Sequence, residues 1–84
     1  MLENIEKNIK NIITKQFGLK DGEITNNLSL KHDLWADSLH IAEFIASLEA
    51  EFKIKVSAEE EERIETIQDA VDSVKKLLQK TGNF

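Results

Sequence analysis

Apolar positions recur every three or four residues in four separate stretches of this chain, and nowhere do they alternate as a strand requires. In the first stretch, about Leu2 to Phe17, the residues Leu2, Ile5, Ile9, Ile12, Ile13 and Phe17 share one helical face, and Gly18 is a natural stop. A second helix is predicted from near Asp37-Ser38 to near Phe52. A short third helix, about Ala58 to Arg63, is signalled by Ser57-Ala58-Glu59-Glu60, which reads as a capping box. The fourth starts at Thr66, with Asp69 three residues on as a weaker form of the same cap. Ile67, Ala70, Val71, Val74, Leu77 and Leu78 make its apolar stripe, and Gln68, Asp69, Asp72, Lys75, Lys76 and Gln79 its solvated face. Gly82 and the last residues are expected to fray. The expected architecture is all-α, three longer helices plus a short third one, in one domain over residues 1–84.

Two features of the pattern go beyond a plain bundle. A connection of roughly Leu19 to Ala36 is long for so small a domain, and such loops are often functional. Asp21-Gly22 and Asn26-Asn27 are its turn formers, while Ile24, Leu28, Leu30 and Leu34 are expected to plug the core. The second helix is apolar around too much of its perimeter. His40, Glu43, Ser47 and Glu51 form a narrow polar stripe, and Leu39, Ile41, Ala42, Phe44, Ile45, Ala46, Leu48 and Phe52 occupy most of the rest. An edge helix needs an apolar arc of only ~100°. This helix is therefore either unusually enclosed or presents apolar surface to something outside the bundle.

Composition narrows the function. The 84 residues are 40% hydrophobic and 32% charged, a globular balance in one small domain with no room for a deep catalytic cavity. There is no cysteine, so neither a disulfide nor a thiolate metal site can form, and a reducing, cytoplasmic setting is expected. Met1-Leu2-Glu3-Asn4 lacks the basic and apolar runs of a signal peptide, and no apolar run approaches membrane-spanning length. The net charge of -5 repels nucleic acid and favours partners with basic patches.

The residues that could carry chemistry are few. Ser38 and His40 are two apart and do not face each other on a helix, so Ser38 has no evident local base; His32 could approach only from the loop. No phosphate loop, zinc motif or calcium loop is present, and Glu59 to Glu62 is the run of a solvated face, so no metal site and no catalytic residue is expected. Asp33-Leu34-Trp35-Ala36-Asp37-Ser38-Leu39 places a serine in the first turn of a helix after a long loop. Either Asp37 or Ser38 is simply the N-cap, or the helix end stabilises a phosphate held on Ser38. In the second case Asp37 could help bind a metal ion while an external enzyme attaches the group.

That stretch resembles the acyl carrier protein signature Asp-Leu-Gly-Ala-Asp-Ser-Leu. Ile24-Thr25-Asn26-Asn27, Glu43, Leu48-Glu49-Ala50-Glu51-Phe52 and Ile64-Glu65-Thr66-Ile67-Gln68-Asp69-Ala70 are similar as well, in order and at compatible spacing over nearly the whole chain. The resemblance implies an acyl-carrier-like four-helix bundle that performs no catalysis itself. Ser38 would be esterified by 4'-phosphopantetheine, delivered from coenzyme A by a phosphopantetheinyl transferase, with Asp37, Leu39 and Trp35 around the attachment. The arm would carry acyl groups as thioesters for a fatty acid pathway or a specialised lipid or polyketide pathway. Phe44, Ile45, Leu48, Phe52, Ile64 and Ala70 would line a sheltering cleft. Leu39, His40, Ala42, Glu43, Ala46 and Glu49 would meet acyl-transferring and synthase enzymes bearing basic patches. A monomer is expected.

Several residues depart from the family. Trp35 stands where a glycine is usual, either as an apolar anchor closing the loop or as a wall against the arm, and it would be strained if that position needs a positive φ. His40 replaces an acidic residue, and is either solvent-facing or a pH-sensitive contact to the phosphate. Ala42 and Ala46 replace larger apolar residues, and Ser57 a common proline. Lys31, His32, Lys53 and Lys55 dilute the acidity that a basic synthase surface would recognise. The diluted acidity weakens the case for fatty acid synthesis and keeps a specialised pathway open beside it, while Trp35 and His40 leave room for a second function: an unmodified interaction subunit on the same fold.

Overall fold

The computed structural model describes residues 3–81, among which are four α-helices, α1 (Glu3–Phe17), α2 (Ser38–Phe52), α3 (Ala58–Arg63) and α4 (Ile67–Thr81), and a short 3-10 helix at Asp21–Glu23. Leu2, placed in the first stripe, and Gly82 with the residues after it lie outside the described residues. No strand is present among those described; a single antiparallel bridge joins Ser29 to Thr66. Also among the described residues, no helix is long and apolar enough to cross a membrane.

The stripes meet as their spacing requires. Ile5, Ile9 and Ile13 of α1 pack with Ile67, Ala70, Val71 and Val74 of α4, and with Phe44, Ile45 and Leu48 of α2, in one buried core. Ile12 and Phe17 lie at its edge. α1 stops where Gly18 takes φ +73°, its amide donating to the Thr14 carbonyl at 2.9 Å. The long connection is tied down at both levels. Ile24 and Leu30 are buried and Leu28 and Leu34 half-buried. The Leu30 amide donates to the Glu65 carbonyl, and the Ile67 and Gln68 amides donate back to Leu28 and Asn26. These bonds, with one short 3-10 turn at Asp21–Glu23, explain how so long a segment stays ordered without an α-helix.

The caps divide. At α4, Thr66 Oγ1 accepts from the Asp69 amide (3.1 Å) while the Asp69 carboxylate accepts from the Thr66 and Glu65 amides, so the expected cap is reciprocal. At α3, Ser57 Oγ accepts from the Glu60 amide, but the Glu60 carboxylate does not return. It turns to α4 instead, taking Lys76 Nζ at 3.1 Å and the Ser73 hydroxyl at 3.4 Å. The reason is that α3 buries no side chain of its own, so this polar bridge, together with its buried C-cap residue Ile64, ties it to the bundle. The hydrogen bond from Lys76 holds the Glu60 carboxyl below its ordinary value of 4.5. A depressed carboxylate stabilises the fold above its unfolded pKa and ceases to do so as pH falls through its folded value. Acidification from pH 5 to pH 3 is therefore expected to destabilise the wild-type chain more than Glu60→Gln, measured as the shift in urea midpoint. Equal shifts would remove Glu60 from the acid response.

Candidate functional site

The segment 29–36 is a closed turn that delivers the chain to α2. The Ala36 amide donates to the carbonyl of buried Leu30 at 2.9 Å, and the Asp33 and Leu34 amides donate to the Ser29 carbonyl. The Asp33 carboxylate accepts from the Ser29 amide at 2.7 Å, and Ser29 Oγ accepts from the His32 amide. Asp33 is thus a structural clamp. His32 is exposed and does not line the surroundings of Ser38.

Within this turn Trp35 has φ +57°, the left-handed region in which a side chain is strained. Its indole is 83% exposed. The loop-anchor alternative therefore fails, since the residue packs against little. Trp35→Gly is expected to relieve about 1–2 kcal/mol of backbone strain against about 0.5–1 kcal/mol of added chain entropy in the unfolded state. The net gain, centred near about 0.75 kcal/mol, should raise the thermal midpoint by about 3–6 °C. An unchanged or lower midpoint would mean that the indole contributes packing that offsets the strain.

Asp37, not Ser38, is the N-cap of α2. Its backbone is extended and its carboxylate accepts from the His40 amide at 2.9 Å. That hydrogen bond holds the Asp37 carboxyl below its ordinary value of 3.8. His40 completes the box in place of the usual glutamate, with Nδ1 3.3 Å from the Asp37 amide and 2.9 Å from Asp37 Oδ1. Unprotonated, Nδ1 accepts from the amide; protonated, it donates to the carboxylate. The ring also lies 5.7 Å from the Phe17 ring, and the His40 carbonyl accepts from Gln16 Nε2 at 2.8 Å. His40 therefore joins the start of α2 to the end of α1, a role that neither sequence alternative contained.

Ser38 follows as the first helical residue. It is exposed, and among the described residues its hydroxyl makes no side-chain hydrogen bond. It opens on a cavity of about 390 Å³ between α2 and α3, lined on the apolar side by Ala36, Ile41 and Ile64 and on the polar side by Lys31, Glu61 and Glu62. Of the six residues assigned to a cleft from the sequence, Ile64 lines this cavity. Phe44, Leu48 and Ala70 are fully buried, Ile45 nearly so, and Phe52 half-buried, all within the core. Ile41 was missed, although its place one turn after Ser38 puts it on the same helix face. Glu61 and Glu62 were missed because no local pattern brings them to residue 38, and Lys31 was read only as a charge diluting the acidity near the site.

On the outer side of α2, Leu39 (65% exposed), Ala42 and Ala46 form an exposed apolar strip with Glu43 beside it. The excess apolar perimeter of this helix therefore faces outward. Among the described residues, Trp35 and Leu39 are the exposed large hydrophobics, and they flank Ser38 in the sequence. Glu49 differs from the others in the predicted docking set. It is half-buried, and its carboxylate accepts from the Val56 amide at 2.9 Å, bracing the turn after α2.

This arrangement has close counterparts. Residues 7–74 match the family described as the phosphopantetheine attachment site. An acyl carrier protein of Buchnera aphidicola subsp. Baizongia pistaciae is 47% identical over 77 residues, covering 92% of this chain and 99% of that protein. The thermally stable acyl carrier protein of Enterococcus faecalis superposes with a TM-score of 0.79 at 35% identity, over 92% of this chain and 98% of that one. The apo doublet acyl carrier protein from prodigiosin biosynthesis superposes with a TM-score of 0.73 at 26% identity, over 88% of this chain and 36% of the doublet. By its sequence over most of its length and by its four-helix fold, the chain belongs to the phosphopantetheine-attachment family of acyl carrier proteins.

Proposed function

We propose that this chain carries acyl groups as thioesters on a 4'-phosphopantetheine arm esterified to Ser38, acting as a tethered substrate for other enzymes in the cytoplasm. The observation that carries the reading is the free, exposed hydroxyl of Ser38 at the mouth of the cavity between α2 and α3. A serine that capped the helix would be committed to the backbone; here Asp37 takes that task and leaves Ser38 open to a transferase.

The residues present fit the arm. Ser38 offers the oxygen for the phosphodiester, and Ala36, Ile41 and Ile64 offer an apolar lining for a chain that leaves it. When bound, the group supplies a thiol on a long flexible tether, at which acyl groups are held and exchanged. The protein's own residues place and shelter that tether. Asp37 keeps the helix end fixed, and Leu39, Ala42 and Ala46 present an apolar strip to the partner enzyme, with Glu43 adding negative charge for a basic rim. Trp35 adds an aromatic surface on the approach to Ser38. The cargo belongs to a fatty acid pathway or a specialised lipid or polyketide pathway, and the dilution of acidity by Lys31, Lys53 and Lys55 keeps the specialised one open beside the first.

The test is loading. The purified chain is incubated with coenzyme A, magnesium and a broad-specificity phosphopantetheinyl transferase, and its intact mass is recorded. A gain of one phosphopantetheinyl group is expected. No gain with a transferase proven active on another carrier would favour the unmodified interaction subunit.

A further inference from the structure

We propose that Lys31 is the counter-ion of the phosphodiester on Ser38 and sets the direction of the arm, holding its root over the cavity between α2 and α3. The inference rests on the carrier reading and deepens it. The need for a cation follows from the cap. A phosphate at a helix N-terminus is ordinarily held by free amides and the helix dipole. In α2 the His40 amide already donates to the Asp37 carboxylate, and the negative charge of that carboxylate offsets the helix end. A phosphodiester on the next residue would have Asp37 beside it and Glu61 and Glu62 across the cavity, so its charged surroundings would be repulsive.

Lys31 is the one cation among the described residues lining this cavity. The turn that puts it there is well fixed. Leu30 is buried, and its carbonyl accepts from the Ala36 amide, which closes residues 31–35 into a loop and returns the chain beside Lys31 two residues before Ser38. Among the described residues Lys31 has no ion-pair partner, although Glu61 and Glu62 line the same cavity. Its ammonium is thus available for the phosphodiester. Such a contact neutralises one charge at the cavity mouth and biases the arm toward Ile41 and Ile64. Without it, the three carboxylates push the arm toward solvent. The site is exposed, so the contact is screened on the scale of a Debye length, about 10 Å at 0.1 M salt.

The experiment compares wild type, Lys31→Arg, Lys31→Met and Lys31→Glu, each loaded and verified by intact mass. Two readouts follow on the loaded chains: the ³¹P resonance of the phosphodiester during a sodium chloride titration, and the amide shifts between unloaded and loaded forms. In wild type and Lys31→Arg the ³¹P resonance should move with salt as the pair is screened, and the Ile41 and Ile64 amides should shift on loading. In Lys31→Met the salt response should vanish, and in Lys31→Glu the Ile41 and Ile64 shifts should fall by at least half. Thermal melts of the unloaded variants should coincide, since Lys31 is exposed. Loaded chains that give the same salt response and the same amide shifts in all four forms would overturn the role of Lys31 and leave the carrier reading standing. A wild-type chain that gains no mass would overturn both.

Discussion

Ser38→Ala is expected to keep its fold and lose its modification entirely. The hydroxyl is exposed and makes no side-chain hydrogen bond among the described residues, so its removal leaves no polar group unsatisfied. Surface substitutions of this kind fall within about 0.5 kcal/mol of neutral. The loading reaction, in contrast, has no other acceptor at that place, and the intact mass after incubation with the transferase should equal that of the untreated variant. The neighbouring residue gives the opposite result. Asp37→Ala removes the acceptor of the His40 amide and the partner of the His40 ring, and should lower the thermal midpoint by several degrees as a lost N-cap. Two adjacent residues are thus separable, one by mass and the other by melting. If Ser38→Ala still gained the group, the attachment would lie on another hydroxyl. If it melted as low as Asp37→Ala, Ser38 would be part of the cap.

The stripes of α1 and α4 were legible because each repeats its period over four turns, and the structure buries Ile5, Ile9, Ile13, Ile67, Val71 and Val74 accordingly. Ends marked by a specialised residue were legible too, as at Gly18 and at Thr66 with Asp69. The end of α2 was placed by the loss of its pattern, but its geometry was not foreseen. Lys53 takes the left-handed cap at φ 55° where a glycine would be expected. The choice between Asp37 and Ser38 as cap was open because both side chains can accept from an amide, and only the backbone conformation of residue 37 decides it. Trp35 was singled out by its departure from the family's glycine, and its positive φ explains why glycine is usual there. The cavity was the least legible part. It joins Lys31 to Glu61 and Glu62 across some thirty residues, and its formation depends on how the short α3 is held to α4 through Glu60. A helix wheel of α2 separates polar from apolar positions, but it cannot tell an apolar residue in the core from one at a cavity wall. Phe44, sealed in the core, and Ile41, buried in the core but also at the cavity wall, are the case in point.

Phe44→Ala should be the most damaging single change in the helix that carries the site. Its side chain is fully buried, in contact with the core formed by α1 and α4, so truncation leaves a cavity as well as losing transfer free energy. Phe→Ala at such a site costs about 3–5 kcal/mol. A chain of 84 residues has a total stability of about 4–13 kcal/mol. The variant should therefore melt at least about 12 °C lower. Ile41→Ala removes an apolar side chain three residues earlier in the same helix, but Ile41, buried in the core, also borders a space that already exists. The emptied volume joins that open cavity instead of becoming a sealed void, which places the cost near or below about 2 kcal/mol, the low end for such truncations. Ile41→Phe separates the two roles further, because added volume can extend into the cavity without compressing the core. It should leave the unloaded chain near wild-type stability while shrinking the space for cargo. The gain in melting temperature on attaching a medium-length acyl chain should then be smaller in Ile41→Phe than in wild type. If Ile41→Phe left that gain unchanged, or if Phe44→Ala cost no more than Ile41→Ala, the sheltering cleft would lie deeper, among Phe44, Leu48 and Ala70, as the sequence first suggested.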